Sequence, residues 1–244
     1  MSLRLTTATA ARVLRQLRHD PRTIALLLVV PCVLIGLLAW MLEATPMFGA
    51  IGPALLGVFP FVVMFLVTSV TTLRERQSGT LERLLTTPMG KADLVGGYAL
   101  AFGAVAVLQA LLASAFAIYV CGLDVVGPAW LLLVVAVADA VLGTAVGLFV
   151  SAFAATEFQA VQFMPAVILP QFLLCGLIVP RDRLPGALEA LSDVLPLSYA
   201  VDAMRTLATR VDATGAVFAD VGVITAFTLA AVVLGAVTLR RQTA

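Results

Sequence analysis

Charge is scarce in this sequence: Asp, Glu, Lys and Arg make up 12% of its 244 residues, where a soluble domain carries about a quarter. Histidine occurs once, at His19, so a site that needs two imidazoles cannot be assembled. The three cysteines, Cys32, Cys121 and Cys175, sit in or beside apolar runs without CxxC or Cys/His spacing. That excludes the usual metal and redox motifs and leaves them as packing residues. No G-x-x-x-x-G-K-[ST] phosphate loop is present, and no polar stretch is long enough for a nucleotide-binding domain. The expectation is a chain that hydrolyses no ATP and is not itself an enzyme. Net charge is +1, which gives no reason to expect a nucleic-acid partner. No small-residue cleavage site follows the first apolar run, so that run reads as a retained helix rather than a leader.

What the sequence has is apolar length. Hydrophobic residues make up 61% and the mean hydropathy is +1.08. A spanning helix needs roughly 20 apolar residues, and six such stretches occur, at 23–42, 50–73, 94–121, 129–150, 160–179 and 217–239. The fold class expected is an all-α membrane protein, one domain over 1–244, with both termini on one side. With the N-terminus inside, the cytoplasmic segments hold Arg4, Arg12, Arg15, Arg18, Arg22, Arg74, Arg76, Arg83, Lys91, Arg240 and Arg241. Only Arg181, Arg183, Arg205 and Arg210 fall outside. The positive-inside rule then puts both termini in the cytoplasm.

Residues 1–22 carry a second pattern. At helical spacing, Arg4, Arg12, Arg15, Arg18, His19 and Arg22 share an arc of roughly 120°, and Leu3, Ala10, Val13, Leu14 and Leu17 lie opposite. This reads as an interfacial helix whose arginines meet anionic headgroups or an acidic partner surface and whose leucines lie in the acyl boundary, closed by Asp20 and Pro21. Within the spans, Pro31, Pro60, Pro165 and Pro170 each free a carbonyl that a neighbouring helix must satisfy. The fifth span, with two of them, should be the least regular. Gly143 and Gly147 form a GxxxG, which allows close approach within the chain or between subunits.

Two connections carry more information. Between spans two and three, RERQSGTLERLLTTPMGKADLVGGY breaks at Ser78 and Gly79. Thr80 then caps a short helix with Leu81, Leu84 and Leu85 on one face, and Pro88 stops it. Between spans five and six, Leu184, Leu188, Leu191 and Leu195 repeat at helical spacing between Pro185 and Pro196, and Ser198 caps a second short helix. Both would dip back and lid the outer end. Asp139 stands near the middle of the fourth span, roughly 15 Å from its outer end. It must be neutral, paired or facing a wet cavity, and could contact a cationic substrate or serve a proton-linked step. Glu157, in the turn before the fifth span, could contact a partner protein.

At these two connections the chain resembles the ABC-2 family of ABC exporter permeases, particularly the short branch with antibiotic-resistance and nodulation-factor permeases. The first is similar to the family's E-x-G-T-x-E-x-L-x-x-x-P segment. The second, CGLIVPRDRLPGALEALSDVLPLSYAVDAMR, is similar to its P-x-x-x-L-P and P-L-x-Y-x-x-D-x-x-R signature. The resemblance implies a connecting helix carrying Arg12, Arg15 and Arg18, and a cytoplasmic coupling helix from Ser78 to Pro88. Glu75, Gly79, Thr80, Glu82 and Pro88 lie on motif positions, with Arg83 beside them, and external re-entrant helices hold Pro180, Pro185, Pro196, Tyr199, Asp202 and Arg205. It implies a second permease copy or paralogue and a separate ATPase dimer that binds ATP and magnesium, with no cofactor in this chain. The path would lie between permeases, where Gln159 and Gln162 could line an inner vestibule in the plasma membrane, against its lipids. The expected activity is export of an amphipathic drug, antibiotic or lipid-like product. A lipid-linked glycan exporter and an ion-coupled secondary transporter using Asp139 are the alternatives.

Overall fold

The computed structural model describes residues 2–43, 47–77, 90–212 and 214–238. They form α1 (Leu3–Arg18), α2 (Pro21–Met41), α3 (Met47–Gln77), α4 (Lys91–Tyr119), α5 (Ala129–Ser151), α6 (Glu157–Leu174), a 3-10 turn (Arg181–Arg183), α7 (Gly186–Asp193), α8 (Pro196–Thr209) and α9 (Thr214–Thr238). Five of these helices, α2, α3, α4, α5 and α9, are long and apolar enough to cross a membrane. The expectation of six spans is therefore met by five. The 160–179 stretch became α6, which has 18 residues and whose apolarity is diluted by Gln159, Gln162, Gln171, Pro165 and Pro170. It nevertheless stays helical through both prolines.

The long helices alternate in direction between two ends. At one end, Ser2 at the start of α1 donates its backbone N–H to Asp93 of α4 at 2.6 Å. At the other, the backbone N–H of Gly127, between α4 and α5, donates to Leu207 of α8 at 2.8 Å. Helices α3 and α5 are mostly covered, whereas α2 and α9 leave most of their surface uncovered. In lipid that gradient costs nothing, since uncovered leucines meet acyl chains rather than water.

The α3–α5 contact is set by glycine. A side chain on Gly143 would collide with the backbone carbonyl of Phe61, and a Cβ on Gly147 would lie 2.6 Å from that of Phe65. The GxxxG thus joins two helices of one chain. A core of Phe61 and Phe65 with Leu142, Ile168, Leu197, Val201 and Ile224 continues that contact into α6, α8 and α9. Pro31 shows how an orphaned carbonyl is satisfied. It cannot donate to Leu27, and the buried Gln109 of α4 donates its side-chain N–H there instead, at 2.6 Å.

Helices α1 and α8 flank this bundle at opposite ends. Asp20 caps α2 through the N–H of Thr23 at 3.2 Å and its hydroxyl at 2.6 Å, with Pro21 in the first turn. Only His19 and Asp20 separate α1 from α2. The buried arc of α1 is Thr6, Thr9, Ala10, Val13 and Leu17, because Gly97 lets Thr9 settle against the α4 backbone. Of the expected apolar arc, Ala10, Val13 and Leu17 are buried against the bundle, whereas Leu3 and Leu14 are exposed. Ser198 is not a cap either. The helix begins at Pro196 after Leu195, and the Ser198 hydroxyl lies 3.0 Å from that of Ser192.

Candidate functional site

The last turn of α3 is a hub. Arg12 of α1 contacts Glu75 at 3.0 Å and 3.4 Å through two guanidinium nitrogens, and donates to the Tyr98 hydroxyl of α4 at 2.9 Å. Its guanidinium carbon lies 5.8 Å from the centre of the Tyr98 ring. One arginine thereby joins α1, α3 and α4. Glu75 is only 11% exposed at its side chain, so charge-assisted bonds there are strong and their loss is felt.

The neighbouring residues of α3 reach in other directions. Arg74 donates twice to Glu157 at the start of α6, both at 2.8 Å. The guanidinium beside it holds the Glu157 carboxyl below its ordinary value of 4.5. Arg76 donates to the Ser151 carbonyl at 2.5 Å, and Gln77 to that of Ala155 at 2.8 Å. The end of α3 thus holds α1, α4 and the α5–α6 turn at once, immediately before residues 78–89. Ser78, Gly79, Thr80, Glu82, Arg83 and Pro88 lie outside the described residues.

Of the other expected residues on α1, Arg15 and Arg18 are exposed, and Arg15 donates to the Ala11 carbonyl at 3.2 Å. Gln159 accepts from the Ala155 N–H at 2.8 Å, and Gln162 is exposed. Asp139 is fully buried, and neither of its oxygens has a hydrogen-bond partner among the described residues. It lies against Gly57 of α3, where a Cβ would sit 3.4 Å from Asp139 Oδ2 and 4.0 Å from Met204 of α8. Asp139 is packed between helices, apart from the Gln159–Gln162 region.

The opposite end has its own network. Arg181 pairs with Asp193 and Asp202, and lies 5.3 Å from the centre of the Tyr199 ring. Tyr199 donates to the Asp193 carbonyl at 2.8 Å, and Arg205 to that of Gly176 at 2.5 Å. Gly176 adopts φ +89, the left-handed region open to glycine, and this turns the chain out of α6. Pro180 and Pro185 precede the 3-10 turn and α7, and Pro196 opens α8. Tyr199, Asp202 and Arg205 therefore meet, as a set, around the turn after α6. The organising residue, Arg181, was not singled out by its sequence, nor was Tyr98 at the hub. Arg12 and Tyr98 are separated by 86 positions, and no local spacing reports such a pair.

A family model described as "ABC-2 type transporter" matches residues 4–208, a stretch that includes both the hub and the Arg181 network. The chain belongs to the ABC-2 type transporter family. Among curated relatives, this ABC-2 chain is 26% identical over 157 residues to ABC transporter G family member 20 of Dictyostelium discoideum, covering 64% of itself and 22% of that protein. It is 24% identical over 156 residues to the probable multidrug ABC transporter permease YbhS of Escherichia coli (strain K12), covering 64% and 41%. With the linearmycin resistance permease protein LnrN of Bacillus subtilis (strain 168) it shares 25% over 173 residues, covering 68% and 43%. The chain thus spans less than half the length of these relatives. It is an ABC-2 transporter permease chain with several apolar helices, and a membrane protein.

Proposed function

We propose that this chain is the permease of an ATP-driven exporter that moves an amphipathic small molecule out of the cytoplasm or the inner leaflet. In this reading both termini and the α3 hub face the cytoplasm, α6 completes six spans of the plasma membrane, and α7 and α8 lid the outer end. Two permeases pair with an ATPase dimer that binds the ATP and magnesium. The path runs beside α3 and α6, with Gln159 and Gln162 toward the inner vestibule and Asp139 behind it.

The observation that carries the proposal is the Arg12–Glu75–Tyr98 junction, mounted directly before residues 78–89. A coupling helix there would push on α3, and the junction would pass the push to α1 and α4 as one body, biasing inward-open against outward-open arrangements. In this reading Glu157, which accepts from Arg74, carries a second contact with the ATPase. The multidrug and linearmycin-resistance names of the relatives support an amphipathic substrate. The test is reconstitution with an ATPase subunit, following ethidium efflux and ATP hydrolysis in the same vesicles. Glu82→Lys and Gly79→Pro are expected to insert normally and to lower the ethidium moved per ATP at least tenfold. Unchanged ratios in both would remove the coupling assignment, and efflux driven by a proton gradient without ATP would favour the secondary-transport reading.

A further inference from the structure

The buried arc and the Glu75 junction fix the roll of α1 about its axis, and this determines what its remaining face can meet. Arg4, Arg15 and Arg18 lie within roughly 60° of one another on the exposed side, and Leu3 and Leu14 adjoin them within roughly another 60°. Leu3 is 77% exposed and Leu14 38%. Arg4, Arg15, Arg18 and Arg22 have no ion-pair partner among the described residues, in contrast to Arg12.

Depth is fixed as well. Arg18 ends α1, and Pro21 opens an apolar helix of 21 residues after only His19 and Asp20. Arg18 and Arg22 therefore sit at the level where that span leaves the hydrocarbon. Directly beyond them, Leu26 and Val29 of α2 are exposed at 60% and 52%. A row of unpaired arginines bordered by uncovered leucines, at the mouth of a span, matches a bilayer surface of negative headgroups with acyl chains beside it. A folded acidic partner would match the charge and leave Leu3 and Leu14 in water.

We propose that Arg4, Arg15, Arg18 and Arg22, with Leu3 and Leu14, form a seat for anionic phospholipid headgroups that selects negative lipids around the α1 end of the bundle. The seat does not depend on what the bundle transports. Each arginine near such a surface contributes about a fivefold factor at low salt, and that factor disappears as the Debye length shrinks to about 3 Å at 1 M salt.

The experiment uses the full chain in phosphatidylcholine nanodiscs with a rising fraction of phosphatidylglycerol. It counts the lipids retained, by native mass spectrometry, and follows the unfolding midpoint. Wild type is expected to retain phosphatidylglycerol well above its bulk fraction, with a midpoint that rises with that fraction at low salt and not at high salt. Arg15→Gln/Arg18→Gln/Arg22→Gln should lose the enrichment, and Arg183→Gln/Arg210→Gln at the opposite end should keep it. The salt response of the wild type needs no variant, and Arg18→Lys should preserve the selection, which covers a triple variant that fails to fold. Equal enrichment in the triple variant would overturn the proposal. So would displacement of the lipid by inorganic phosphate at matched concentration, which would mark a soluble-anion site. A triple variant that keeps its lipid preference and loses a co-purifying ATPase would assign the face to a protein partner and overturn it too.

Discussion

Pro31 leaves the Leu27 carbonyl without its helical donor, and Gln109 supplies the missing bond from α4. Gln109→Leu should therefore cost about 1–3 kcal/mol in unfolding measurements. In a Pro31→Ala background the helix regains its own donor, so the same substitution should cost less than half as much. An equal cost in both backgrounds would show that the bond is incidental. Gly143 gives a steric counterpart. A valine there meets the Phe61 carbonyl and should destabilise by about 3 kcal/mol, while Gly103→Ala, with nothing within 4 Å of the new Cβ, should be neutral or slightly stabilising. Asp139 is buried without a hydrogen-bond partner among the described residues, so Asp139→Asn should insert and fold at least as well as wild type, as read by its unfolding midpoint. The sequence already showed that Pro31 would orphan a carbonyl and that Asp139 would be costly if charged. It could not show that Gln109 answers the first, because helix pairing is a long-range fact.

At the scale of elements, the last turn of α3 divides its side chains among its neighbours. A double-mutant cycle on Arg12→Gln and Glu75→Gln should show coupling of about 1–3 kcal/mol, which a pair of unrelated surface charges would not. The Arg74–Glu157 bond is more exposed and should be visible chiefly through pH. Its folded carboxyl titrates below the ordinary 4.5, so its stabilisation is complete at neutral pH and fades as pH falls through the folded value. The gap in unfolding midpoint between wild type and Glu157→Gln should close under those acidic conditions, and also in high salt. A gap that widens on acidification would contradict the assignment. The arginine stripe of α1 was legible from its spacing, and its apolar side only partly so. Leu3 and Leu14 share the apolar arc on a helical wheel and are exposed in the fold, while Thr6 and Thr9, which the wheel did not single out, take buried places because Gly97 admits them.

For the whole molecule, the order of the long helices could be read from hydropathy because lipid imposes a length on every crossing helix, but six crossings were expected and five helices are long and apolar enough. The exception is α6, where two prolines and three glutamines dilute the signal. The two signature connections identified the family, and the family match over residues 4–208 agrees. The Arg181 network remained hidden, since it is assembled from a turn, α7 and α8 by contacts that no periodicity encodes. In the proposed function this bundle is driven by a motor outside the 244 residues through the end of α3. The most direct measurement is ethidium flux in vesicles holding this chain alone, an ATPase subunit alone, or both, with ATP supplied on the α1 face. ATP-dependent flux is expected only when both are present, and its loss on Glu75→Lys with insertion intact. Equal ATP-dependent flux from this chain alone would contradict it.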